Sequence, residues 1–131
     1  MKAFIESRKD DYIRDLETLV NIDSSSDNLA GIEAVAQFLI HRLEAIGFSS
    51  RLRNLGDRRV PCLQARNGPE DETFDIMFLG HMDTVFPTGE VEKRPFAADG
   101  DRATGPGVCD MKAGLLVALH ILEALHHDGV L

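Results

Sequence analysis

Nowhere in the 131 residues do eighteen apolar residues run together, and the chain carries only two cysteines and little basic charge. The first absence excludes a transmembrane helix. Charged residues follow Met1-Lys2-Ala3-Phe4-Ile5 at once, so no secretory-signal core is present either. Cys62 and Cys109 need no disulfide framework, and no Cys-x-x-Cys or Cys/His cluster suggests a structural zinc. A reducing compartment, the cytoplasm, is the expected location. Fourteen Lys and Arg against 22 Asp and Glu leave a formal net charge of −8. That sign argues against nucleic acid and an anionic membrane surface as partners. Repeats, linkers and low-complexity stretches are also missing, and the length suits one modest domain with a real core.

What is present begins with helical periodicity. Phe4, Ile5, Tyr12, Ile13, Leu16, Leu19 and Val20 recur at helical spacing between Lys2 and Ile22 and predict one amphipathic helix. The capping-rich turn Asp23-Ser24-Ser25-Ser26-Asp27-Asn28 introduces a second helix over Leu29–Ile46, closed by Gly47. His41 lies on its polar flank and reads as solvated. Phe48–Leu55 and Val60–Arg66 flank Gly56-Asp57-Arg58-Arg59 in a hairpin-like pattern whose arginines form a solvated or edge-protecting face. Asn67–Glu72 reads as a surface turn. Asp75-Ile76-Met77-Phe78-Leu79 is an apolar run that stops at Gly80, a buried strand emptying into a loop. The connection from Phe86 to Phe96 lacks periodicity and is of the kind that borders active sites. Asp99-Gly100-Asp101 is a turn with too few ligands for calcium, and Arg102-Ala103-Thr104 a short strand. Met111–His127 is apolar nearly all round, which predicts a buried helix. His120 reads as a core-edge residue, and His126-His127 suit the negative pole of the helix.

Two motifs carry chemistry: Gly80-His81-Met82-Asp83-Thr84-Val85 and Gly105-Pro106-Gly107-Val108-Cys109-Asp110-Met111-Lys112. Residues two apart on an extended segment share a side, so His81 and Asp83 face one point while Met82 faces away. A neutral imidazole binds zinc through one nitrogen, and a neighbouring carboxylate can accept the other N–H. Asp110 falls before a helix N-terminus, where backbone N–H groups and the dipole keep a carboxylate ionised. Cys109 reads as a small packing residue rather than a ligand. Ala113-Gly114 allows close approach near Asp110.

In this order the motifs resemble the co-catalytic zinc metallopeptidases that include glutamate carboxypeptidase, acetylornithine deacetylase, succinyl-diaminopimelate desuccinylase and the aminoacylases. The resemblance implies an α/β fold: part of a zinc-exopeptidase-like catalytic domain, with a mixed β-sheet flanked by helices and truncated before the second half of the sheet. It implies that His81 and Asp110 are metal ligands, Asp110 bridging two Zn2+ ions, with Co2+ or Mn2+ as alternatives. It implies that Asp83 is the active-site aspartate that orients His81, and that the Asp110-Met111 peptide is a candidate cis bond.

Residues 1–131 are thereby expected to be the N-terminal portion of such a domain, without the dimerisation or lid domain. The general-base glutamate and the remaining ligands implied by the family do not appear. The expected activity of the whole is zinc-dependent hydrolysis of an amide bond in a small peptide or N-acyl amino acid, glutamate carboxypeptidase-like. The piece alone is expected to be inactive, weak in metal affinity and prone to self-association, and its parent a homodimer. The alternative is a non-catalytic α/β binding or remnant module that pairs through an exposed sheet edge.

Overall fold

The computed structural model describes residues 1–69 and 73–131. Helices α1 (Lys2–Ser7), α2 (Lys9–Val20) and α3 (Leu29–Ala45) come first, followed by strands β1 (Ser49–Leu55) and β2 (Val60–Arg66). After a long connection come α4 (Glu90–Lys93), β3 (Ala97–Asp99), β4 (Arg102–Thr104), an irregular turn over Val108–Lys112 and α5 (Ala113–His127). No helix among the described residues is long and apolar enough to cross a membrane.

The core sits where α2, α3 and α5 meet, around Leu16, Leu19, Val20, Val35, Leu39, Leu43, Leu116 and Leu119. Leu16, Leu19 and Val20 are stripe positions of the first amphipathic pattern, so α2 buries the face its sequence marks. Asn28 caps α3, its side chain accepting from Gly31 N at 3.1 Å. Gly31 is required there, because a Cβ would lie 1.8 Å from the Asp23 carbonyl oxygen. On the rim of this core Arg42 bonds Asp15 and Glu123, each at 2.6 Å, and His120 Nε2 lies 3.3 Å from Asp15. His120 is therefore a core-edge residue held by carboxylates. Burial lowers the Arg42 pKa, but the hydrogen bonds it donates to Asp15 and Glu123 outweigh it and leave the guanidinium above its ordinary value.

The first expected helix is broken in two at Arg8 (φ −94°, ψ 6°). The break turns α1 onto the end of α5, where Phe4 stacks on His127 at 4.3 Å and the N-terminal amine meets Asp128 at 2.7 Å. Arg8 itself is tied to Asp11 at 2.6 Å.

The α/β class stands. Its strands form two antiparallel pairs, β1 with β2 (Ser49 opposite Arg66) and β3 with β4, plus one parallel bridge between Ser25 and Thr84. The β1–β2 hairpin lies against α3, with Leu63 and Ala65 packed on the core.

Two expectations fail. The run Asp75–Leu79 belongs to no strand, and no described segment pairs with it. Ile76, Met77 and Leu79 are 69%, 83% and 87% exposed. A strand buried on both faces needs neighbours along both edges, and these residues have none among the described residues. Nor is α5 buried all round, since Val117 and Ile121 stay exposed on the side turned from the core. Of the expected turn at 67–72, residues 70–72 lie outside the described residues.

Candidate metal centre

His81 and Asp83 stand on the extended chain that follows Gly80. Met82 between them turns inward against the core, as the two-residue alternation requires. The segment is fixed by backbone bonds, Thr84 N donating to Ser24 O at 2.8 Å and Ser26 N to Thr84 O at 3.1 Å. Asp110 arrives from the other side, on the irregular turn before α5. Gly107 (φ +73°) makes that turn possible, since a Cβ there would lie 2.5 Å from Thr84 Cγ2. The Asp110-Met111 peptide is cis. Met111 Sδ receives the His81 N–H at 3.2 Å, and its methyl group fills the space left by the missing side chain of Gly114. The close approach expected at Gly114 is thus made by Met111.

The three singled-out residues are brought together. His81 Nδ1 lies 3.0 Å from the Asp83 carbonyl oxygen and 3.2 Å from Asp83 Oδ1. His81 Nε2 lies 2.9 Å from Asp110 Oδ1. With Nδ1–H donating to Asp83, the neutral ring keeps its lone pair on Nε2, facing Asp110. The Asp110 carboxylate raises the His81 pKa above the ordinary histidine value; partial burial opposes this, and the Asp83 carbonyl adds to it. The Ser26 hydroxyl, donating to Asp83 Oδ2, is the chief reason the Asp83 carboxyl lies below its usual range. A positive charge between His81 and Asp110 is what this pair of acceptors favours.

Two ligands about 2.0–2.2 Å from a tetrahedral zinc sit roughly 3.3 Å apart, so the 2.9 Å gap needs to widen by only about 0.4 Å to admit one. Nitrogen and carboxylate oxygen are both zinc donors. The chain's residues fit zinc as two ligands of a site, with Asp83 on the far ring nitrogen as orienter. Among the described residues no third His, Cys, Asp or Glu joins them as a ligand group. Cys109 is exposed and outside this contact set.

Other residues around the centre went unassigned in the sequence. Ser26 was hidden in a serine-rich turn that reads as helix capping, although only Asn28 caps. Asp23 of the same turn accepts from Gly89 N. Lys112, 1% exposed, runs back through the fold to donate to the Ile22 carbonyl at 2.7 Å. Burial pulls its pKa down to about 8 against the opposing charge of Asp23. Arg58, at the hairpin tip, reaches the Ser26 carbonyl at 2.9 Å and the Asp27 carboxylate at 2.5 Å. A run of short hydroxyl and acid side chains ahead of the His-x-Asp triplet was the available signal for Ser26. For Lys112 the signal was a lone lysine at the head of an apolar helix. Beside Asp83 a cleft of about 290 Å³ is lined by Ser25, Ser26, Thr84, Phe86, Pro87 and Thr88. Phe86, Pro87 and Thr88 of the connection after Val85 line this cleft together with Ser26.

An imidazole oriented by one carboxylate and opposed to another is an arrangement of metal-dependent hydrolases, and residues 77–131 match the model of peptidase family M20/M25/M40. Among curated proteins the chain is 37% identical over 123 residues to carboxypeptidase G2 from Pseudomonas sp., covering 90% of this chain and 28% of that protein. It is 35% identical over 101 residues to succinyl-diaminopimelate desuccinylase from Nitrosomonas eutropha, covering 70% of this chain and 25% of the relative. The chain spans about a quarter of the length of the curated relatives it matches. The family resemblance read from the two motifs stands over that partial region.

Proposed function

We propose that this chain is the N-terminal portion of the catalytic domain of a zinc-dependent amidohydrolase or exopeptidase. His81 and Asp110 act as metal ligands, and Asp83 is the active-site aspartate that holds the imidazole. The observation that carries this reading is the 2.9 Å approach of His81 Nε2 to Asp110 Oδ1 with Asp83 on the opposite ring nitrogen. Bound zinc supplies Lewis acidity toward a scissile carbonyl and toward water. Asp83 keeps the ring proton on Nδ1, so that Nε2 stays available. The Asp110 carboxylate, 81% exposed, presents a second oxygen to the open side of the site, which suits a bridging role. A glutamate base and the further ligands come from parts of the protein outside these residues, as does the dimerisation or lid domain of a homodimeric parent. The substrate is an amide of a small peptide or N-acyl amino acid, a reading supported by the two named relatives.

A two-ligand site gives the piece alone weak zinc affinity and no turnover, because a catalytic zinc normally keeps three protein ligands. Its two free cysteines suit the cytoplasm. The exposed, unpaired run Ile76–Leu79 favours a second reading, a module that pairs with another chain along this segment without catalysis. Zinc titration separates the two. In the first reading, binding to the chain is lost in both His81→Ala and Asp110→Asn. Binding that neither substitution changes would remove both residues from the site.

A further inference from the structure

The carboxylate of Asp83 has two oxygens and two different partners. Oδ1 faces His81 Nδ1 at 3.2 Å, while Oδ2 accepts the hydroxyl of Ser26. Ser26 comes from the other side of the fold, in the turn between α2 and α3. Its backbone is pinned at both ends of the residue, by Ser26 N donating to Thr84 O at 3.1 Å and by Arg58 donating to Ser26 O at 2.9 Å. The hydroxyl proton has a second acceptor in reach, the Thr84 carbonyl at 3.4 Å, but the Asp83 carboxylate is nearer and charged, and a charged acceptor wins the proton. The hydroxyl therefore reaches Asp83 from a backbone held on one side by Thr84, the residue after Asp83, and on the other by Arg58 of the hairpin.

A carboxylate held by one oxygen alone swings about its terminal torsion, which is broad and weakly restrained. With both oxygens engaged, the plane of the Asp83 carboxyl is set, and with it the orientation of the His81 ring. We infer that Ser26 is a positioning residue of this centre: its hydroxyl fixes the Asp83 carboxylate, which fixes the tautomer and aim of His81. The inference rests on the proposed metal centre for its consequence, but not for its geometry. Nothing in the family model's match, which begins at residue 77, includes Ser26.

The test uses the whole chain and the variants Ser26→Ala and Ser26→Thr, with three measurements: zinc affinity by chelator competition, the imidazole 15N line positions of His81 without metal at one fixed pH, and thermal unfolding. Outer partners of metal ligands are worth 10–100-fold in affinity, and Ser26 stands one contact further out, so Ser26→Ala weakens zinc binding about tenfold. The His81 15N lines move in the same variant, Ser26→Thr restores both, and the unfolding midpoint changes little. Affinity within about twofold of the parent in a folded Ser26→Ala chain overturns the inference. So does a loss that threonine fails to restore, because that loss belongs to the shape of the turn. If the parent chain binds no zinc, the metal-centre reading falls and the metal-free 15N lines alone decide: shifted lines uphold the role of Ser26, unmoved lines end it.

Discussion

Leu19, Val20, Val35 and Leu116, on the three packed helices, are fully buried, while Ile76, Met77 and Leu79, in a run no less apolar, stand 69%, 83% and 87% exposed. The contrast lies in what each backbone needs. A helix satisfies its own N–H and C=O groups and asks its surroundings for one apolar face, which α2, α3 and α5 give each other. An extended segment can satisfy its backbone only through neighbours on both edges, and a strand apolar at successive positions needs cover on both faces as well. The three helices thus cover one another's core faces, and the segment that leads into His81 is left exposed. The candidate metal centre stands at the seam: Asp110 precedes α5 of the packed layer, and His81 follows the exposed segment.

The largest expected effects lie in the helical layer. Leu19→Ala removes a fully buried side chain and should cost about 2–5 kcal/mol, read as a urea midpoint shift. Arg42→Met leaves Asp15 and Glu123 facing each other without the guanidinium between them. Because these groups are not wholly dry, about 2 kcal/mol is expected, below the cost of breaking a fully buried pair. If both substitutions were as mild as surface changes, the layer would not be the stable half.

Lys112 gives a smaller, pH-dependent effect. Its folded pKa of about 8 lies below the 10.5 of an open chain, so between those values the unfolded state holds a proton that the folded state lacks. Stability from this group therefore rises as pH climbs from about 8 toward 10.5. Lys112→Met should flatten that rise in urea midpoints measured across the interval.

The smallest stability change belongs to the bare segment. Leu79→Ser should alter the unfolding free energy by no more than about 0.5 kcal/mol, since the side chain gives up almost no contact. The same variant should reduce self-association in light scattering, because an exposed apolar run is an association surface. A large loss of stability in Leu79→Ser would mean that this segment is packed after all.

Much of the layer was legible because helical spacing records which face is buried: Leu16, Leu19 and Val20 of the first stripe are core residues, while Ile13 of the same stripe is only half-buried. The kink at Arg8 was not, since it depends on the docking of Phe4 and Met1 against the end of α5, which no local pattern records. Burial of Ile76–Leu79 was read from composition, and composition states a need without naming what meets it. In the candidate site, the two-residue spacing of His81 and Asp83 announced a shared side, and their meeting with Asp110 was implied by the family resemblance alone. Ser26 and Lys112 escaped notice because each acts across the fold, on Asp83 and on the Ile22 carbonyl, from a stretch whose local reading was already satisfied by turn or helix.

The most direct measurement is an anomalous-difference map at the zinc edge from crystals of this chain grown with zinc. The account predicts a peak between His81 and Asp110, about 2.0–2.2 Å from both Nε2 and a carboxylate oxygen, with Nδ1 still turned to Asp83. A peak elsewhere, with His81 Nε2 and Asp110 remaining in direct contact, would contradict it.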